Sequence, residues 1–251
     1  MTTKQPALTL CEFPETGLPG VETLSPFVLK VRRALKVAGL SYESWRVAHP
    51  AELKKVNPVG QAPVLLVDGV PVADSTRILA KIEELVPGRL SRDADPRVRA
   101  EALLWEELAD VSLSGFLVAS RWADDDNWPR TRAIIFGAAP WFVRALIAPR
   151  VRARVVGSLV ARDVWRAGPE RCWERFRVVL DQLETRAPDS GYWVGRALSV
   201  ADLAIFSMLH SLRNEITPRQ RDEVAKRKKL SSYLDRIDVE TSEGKLLRAV
   251  A

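Results

Sequence analysis

The chain has 251 residues, 47% of them hydrophobic and 28% charged, with a net charge of +6. Such a composition gives core enough for one large domain or two small ones and excludes a disordered or low-complexity chain. No apolar run approaches the roughly 20 residues of a spanning helix, and "MTTKQPALTL" lacks a secretory pattern, so a cytoplasmic location is expected.

The first stretch alternates strand-like and helix-like patterns. "ALTLCEF" reads as a short strand. From Ser25, apolar residues fall at Phe27, Val31, Ala34, Leu35 and Ala38, a helical spacing that Gly39 ends. "SYESWRV" predicts a second strand and "PAELKKVNP" a short helix or turn. "APVLLVDGVPVAD" predicts a hairpin turning on Asp68-Gly69. "STRILAKIEELVPG" closes the section as a helix with Ile78, Leu79, Ile82, Leu85 and Val86 on its apolar face. The order is βαβ, then ββα.

A polar stretch, "GRLSRDADP", marks a boundary, which places one domain at 1–88 and a second at 96–251. Beyond Pro96 the pattern is helical throughout. "RVRAEALLWEELADVSLSGFLVASRW" predicts one long helix of mixed faces, and the helices after it break at Gly137, Pro140 and Pro149. Pattern alone therefore predicts a small α/β domain joined to an all-α bundle.

Three stations in the first domain pair a capping pattern with ligand chemistry. Ser25-Pro26 opens a helix: serine caps, proline suits the first turn, and the helix N-terminus seats an anion. In "NPVGQAPVL", Pro63 stands at the mouth of an apolar strand, where a cis Ala62–Pro63 bond would turn the chain and free the Ala62 backbone for an extended ligand. Asp74-Ser75 opens another helix; beyond capping it, a carboxylate and a hydroxyl there suit the ammonium and carboxylate of a small zwitterion.

Elsewhere the residues read as structural. Cys11 and Cys172 lie far apart with no CxxC, which argues against a disulfide framework, a zinc site or a dithiol motif. Cys11 is expected as a small buried hydrophobe, and His49 and His210 as structural or exposed. Trp105, Phe116 and Trp122 could line a second-substrate pocket, but aromatics on a long helix are more often core, and they are given no site status. Segment 140–177 carries nine arginines against Asp163, Glu170 and Glu174. Its apolar residues are expected to pack on the bundle in two amphipathic segments, leaving the guanidinium groups outward. No nucleic-acid module accompanies this charge, so no nucleic-acid partner is expected.

Taken together, these residues resemble the glutathione S-transferase superfamily. Ser25-Pro26-Phe27 resembles the catalytic turn of its serine and cysteine branches, "NPVGQAPVL" the N-P-x-G-x-x-P-x-L segment, and Asp74-Ser75 the acidic-Ser pair that holds the γ-glutamyl end. "WVGRALSVADLAIFSML" resembles the family's F-x-G-x-x-[ST]-x-A-D motif, which we read as structural: Ser199 as N-cap, Asp202 returning the hydrogen bond, and Leu198 with Leu203 as a staple. The long first loop, "PETGLPGVETL", and the long "RW…WP…P" stretch resemble the metaxin and failed-axon-connections branch.

The resemblance implies a thioredoxin-like N-terminal domain followed by a helical C-terminal bundle. It implies glutathione as co-substrate, with no metal. Ser25 would be catalytic, donating to the thiolate with help from the helix dipole; Pro26, Phe27, Gln61, Ala62, Pro63, Asp74 and Ser75 would bind the tripeptide. The second partner would be a small apolar electrophile met between the domains, and a homodimer is compatible with the family. The expected reaction is conjugation, in a detoxification role. The competing expectation is a non-catalytic scaffold of the same fold that binds a partner or an anionic lipid surface through its basic stretch. A thiol-disulfide reductase would need cysteine at position 25.

Overall fold

The computed structural model describes residues 5–47, 50–90 and 95–242. His49, the expected linker residues 91–94 and the C-terminal segment 243–251 lie outside the described residues.

Strand β1 (Leu8–Glu12) leads through a long loop to helix α1 (Pro26–Ala38), then β2 (Glu43–Arg46), α2 (Pro50–Leu53), β3 (Val64–Val67), β4 (Val70–Ala73) and α3 (Ser75–Leu85). The sheet order is β2-β1-β3-β4. β1 runs parallel to β2 and antiparallel to β3, which pairs antiparallel with β4. The β3–β4 turn has Asp68 at φ 49° and Gly69 at φ 83°, two positive values in succession, as a tight hairpin matched to strand twist requires. Helix α1 stops where expected: Gly39 takes φ 70°, and its N–H donates to Lys36 O at 3.0 Å.

Strand alternation sorts the core. Leu8, Leu10 and Leu65 pack with Val28, Val31 and Leu35 of α1 and Ile78, Leu79 and Ile82 of α3. Cys11 and Val64 face the other way, toward Val47 and Leu53. Both cysteines are free and buried, as expected of Cys11.

The remaining helices are α4 (Pro96–Leu108), α5 (Ser114–Trp122), α6 (Trp128–Phe136), α7 (Ala148–Ala161), α8 (Gly168–Arg186), α9 (Val200–His210), α10 (Pro218–Lys226) and α11 (Lys228–Ser242). The single long helix expected over 97–122 is interrupted by a π-helical turn at Ala109–Leu113. The wider turn shifts the phase of the side chains, which is why no one apolar face fits the segment.

By contacts the chain forms two compact units. The first comprises Met1–Glu106, Gly191–Ser207 and Asp235–Ala251; the second comprises Glu107–Ser190 and Met208–Leu234. The linear division at 88–96 stays a proposal about the domains. Within the first unit, Arg33 of α1 donates to Asp238 O at 3.0 Å and to Asp238 Oδ1 at 2.7 Å, and Trp105 meets Trp193 edge-on at 5.3 Å. In the second unit Phe116 packs against Phe176 at 5.4 Å, and buried Asn127 donates to Ser120 O and Gln220 Oε1.

Before α9 Asp202 returns the hydrogen bond to Ser199 as expected: its Oδ2 accepts the Ser199 N–H at 2.9 Å, and it accepts the Ser199 hydroxyl at 2.8 Å as well. Asp202 Oδ1 accepts from Trp193 N–H at 2.7 Å, so the buried carboxylate organises this corner. The expectation for the basic stretch needs correction, because its apolar residues do not all pack inward. Of the run over 141–161 only Ala148 and Leu159 are fully buried, while Trp141, Phe142, Leu146 and Ile147 are exposed. Apolar residues occupy too many sides of this run for one packed face to cover. Arg152, expected outward, turns in to Trp122 O at 2.8 Å and stacks 5.0 Å from the Trp128 ring centroid.

Candidate functional site

At the start of α1, Ser25 is extended (φ −88°, ψ 115°) and its Oγ accepts the Val28 N–H at 3.3 Å. The Ser25 N–H donates to Thr23 Oγ1 at 3.2 Å, which fixes the turn before the helix. A hydroxyl that accepts one bond keeps its proton to donate, so capping and donation to a ligand are compatible. Pro26 fills the first helical position, and the half-buried Phe27 ring has Lys30 Nζ 5.9 Å from its centroid.

The second station is the loop before β3. Buried Asn57 shapes it: Nδ2 donates to Gln61 O at 2.8 Å, and Oδ1 accepts the Val59 N–H at 3.2 Å. Gly60 turns the chain at φ 70°, Gln61 is exposed, and the Ala62–Pro63 peptide is cis.

The third station opens α3. Asp74 takes φ 80° and ψ 129°, a backbone conformation that costs a non-glycine residue of order 1–3 kcal/mol and collects at functional sites. Its Oδ1 accepts the N–H groups of Thr76 at 3.0 Å and Arg77 at 3.3 Å, while its carboxylate stays exposed. Ser75 is buried beside it.

A cavity of about 330 Å³ joins the three stations. Phe27 comes from α1, Asn57, Gln61, Ala62 and Pro63 from the loop, and Asp74, Ser75 and Arg77 from α3. Ser25 and Pro26 stand next to Phe27 and outside the lining itself. One exposed carboxylate, one guanidinium and a helix N-terminus on one wall suit a zwitterion carrying both ammonium and carboxylate. Sequence reasoning missed Asn57 and Arg77. The signal for Arg77 was available, since a cation in the first turn opposes the helix dipole and calls for an anion from outside.

A second, mainly apolar cavity of about 190 Å³ within the first unit involves α3, α4 and segment 194–200, and holds none of the predicted site residues. Neither cysteine offers a thiolate near neutral pH: burial, with Glu12 adding to it, pushes Cys11 up to about 11, and burial pushes Cys172 up to about 12. Phe116 is buried, as its core assignment requires, while Trp105 and Trp122 are half-buried and packed against other rings. His210 is half-buried at the end of α9. Among the described residues, no group of three histidine, cysteine or acidic side chains is placed to hold a metal ion.

Comparison with known proteins bears on the family. The family model described as glutathione S-transferase, N-terminal domain, matches residues 22–90, and that of the C-terminal domain matches 167–236. Protein LigF of Sphingobium sp. (strain NBRC 103272 / SYK-6) is 32% identical over 108 residues, 42% of this chain and 42% of that protein. Glutathione transferase GST 23 of Zea mays is 38% identical over 91 residues, 34% of this chain and 41% of that protein. These matches span less than half the length of those curated relatives. The apo structure of glutathione S-transferase III superposes with a TM-score of 0.60 at 21% identity, covering 97% of both chains. The crystal structure of β-etherase LigF from Sphingobium sp. strain SYK-6 does so with 0.56 at 24% identity, covering 97% of this chain and 99% of that one. The four-stranded mixed sheet and the helices after it are accordingly the thioredoxin-like and helical parts of one known fold. With both halves of the sequence matched and the fold shared, the chain belongs to the glutathione S-transferase superfamily.

Proposed function

We propose that the protein binds glutathione in the 330 Å³ cavity and transfers its thiolate to a small apolar electrophile. The observation that carries this reading is the meeting of Phe27, Gln61, Ala62, Pro63, Asp74 and Ser75 on one cavity from three separate segments. Asp74 takes the γ-glutamyl ammonium, Arg77 and the N-terminus of α3 take a carboxylate, and the Ala62 main chain pairs with the cysteinyl unit. Ser25 donates a hydrogen bond from its hydroxyl to the thiolate sulfur. A free thiol with a pKa near about 8.5 is mostly protonated at neutral pH, so stabilising its thiolate is the catalytic task. The α1 dipole adds to that stabilisation. The partial match to LigF, described as a β-etherase, puts ethers among the electrophiles to be tried. A cytoplasmic detoxification role and membership of the metaxin-like branch belong to the same proposal.

Thermal unfolding with increasing glutathione tests the binding step. At a hundredfold excess over Kd, one site adds about 2.7 kcal/mol. An unchanged Tm at millimolar glutathione would remove the reading at its first step. Turnover with organic halide and ether substrates tests the second step.

A further inference from the structure

Between Asp126 and Asp163 the sequence carries seven arginines, no lysine and no acid. The same stretch exposes large apolar side chains: Trp141 is 73% accessible, Leu146 54%, Phe142 50% and Ile147 45%. Globular proteins rarely leave such groups together in water, and contiguous patches of this kind mark interaction surfaces. From this we propose that the exposed face of segment 135–160 docks on a bilayer surface bearing anionic headgroups.

The local geometry supports one surface rather than scattered exposure. Pro149 cannot donate an N–H, and the turn ahead of it opens into a π-helical turn, Val143–Ile147, in which the Ala148 N–H reaches Val143 O. Leu146 and Ile147 lie in this turn and Trp141 and Phe142 directly precede it, so the four exposed apolar side chains fall within residues 141–147. The Trp141 and Phe142 rings also meet edge-on at 6.2 Å. Arg144, Arg150 and Arg154 are exposed around these groups and make no ion pair among the described residues. Arg152, turned inward and paired with Asp125 at 2.6 Å, anchors the run to its own unit.

An anionic bilayer satisfies both halves of this chemistry. Indole, phenyl and aliphatic groups enter the headgroup and acyl boundary, while guanidinium groups meet phosphates. Spanning is not involved, because no helix among the described residues is long and apolar enough to cross a membrane. A second copy of the chain fits poorly: a two-fold contact would set arginines against arginines with no acid from the stretch between them. Nucleic acid offers phosphates but no apolar floor for Leu146 and Ile147.

Co-sedimentation of the full chain with vesicles tests the proposal, using phosphatidylcholine alone and phosphatidylcholine with about a third phosphatidylglycerol. Binding to the anionic vesicles should survive at about 0.15 M salt, where screening acts over about 8 Å. Arg144→Gln, Arg150→Gln and Arg154→Gln together should lower partitioning on the order of a hundredfold. Trp141→Ala with Phe142→Ala should lower it at least about tenfold. Both variants change exposed side chains and should keep the wild-type circular dichroism and Tm. The proposal is overturned by absence of binding at that salt, or by wild-type partitioning of both variants. It is equally overturned if W141A/F142A leaves vesicle binding intact while abolishing a dimer in sedimentation. Tighter binding to an oligonucleotide that is insensitive to the same pair would replace the membrane by nucleic acid.

Discussion

Lys30 of α1 and Glu106 of α4 form a buried ion pair, Nζ to Oε1 at 2.9 Å, and the same oxygen accepts the Thr76 hydroxyl of α3 at 2.9 Å. Lys30 lies one turn beyond the Ser25 cap, and Thr76 follows Asp74-Ser75 directly. One carboxylate thus ties together the openings of the two helices that border the cavity. Taking both charges out of water is costly, and the geometry of the pair repays that cost only while both partners remain.

Glu106→Leu alone should therefore cost about 3–5 kcal/mol of stability, because it removes one member of a buried ion pair together with the acceptor of the Thr76 hydroxyl. Adding Lys30→Met should recover most of the loss, since an apolar pair of similar volume then replaces the buried ion pair. Urea unfolding of the single and double variants measures both. Equal stability of the two variants would contradict this account of the pair.

Ser25 and Asp74 should separate chemistry from binding. Ser25→Ala should cost about 1 kcal/mol through the lost cap and reduce turnover much more than glutathione affinity. Asp74→Asn keeps an oxygen to cap Thr76 and Arg77 and a side chain that tolerates positive φ, so stability should hold while the glutathione Kd rises. Asp74→Ala should lose stability and affinity together. Calorimetric titration beside steady-state kinetics resolves the split.

Asn57 touches the proposed ligand through the loop it builds. Asn57→Ala removes the bonds to Gln61 O and the Val59 N–H from a buried position, at a cost of about 1–3 kcal/mol. Because the loop ends at Ala62, glutathione Kd should rise while the turnover of saturated enzyme changes little. Asn57→Asp, which retains the acceptor for Val59 but sets a buried carboxylate oxygen against Gln61 O, should cost at least as much as Asn57→Ala.

The two thiols predict alkaline behaviour. Folding raises Cys11 to about 11 and Cys172 to about 12, above an ordinary thiol. The unfolded chain then loses protons first, and stability falls as pH rises from about 9 toward those values, by about 1.4 kcal/mol per unit for each thiol. Stability below pH 8 should be insensitive to both. Replacing both cysteines by alanine should flatten the slope between pH 9 and 11 relative to wild type. A thiol reagent at pH 8 should label neither residue until the chain unfolds.

Much of the first section was legible because its signals are local. The Asp68-Gly69 turn, the Ser25 cap, the Gly39 stop and the α3 opening each depend on a few adjacent residues, and all appear where the pattern puts them. The candidate site was legible as three local features for the same reason, since its stations are helix starts and a proline-bearing strand entrance. What the stations share, a single cavity, is not a local property.

The sequence by itself determined element types, the hairpin, the caps and the family resemblance, because dihedral preferences and 2.0 or 3.6 periodicity act over a few residues. Only the tertiary structure decided that Arg77 and Asn57 line the cavity with Asp74, and that Lys30 meets Glu106 across 76 positions of chain. It likewise decided that Trp141 and Phe142 stay in water while Arg152 turns inward. Burial and pairing of this kind depend on which other element supplies the partner. No periodicity within one segment carries that information.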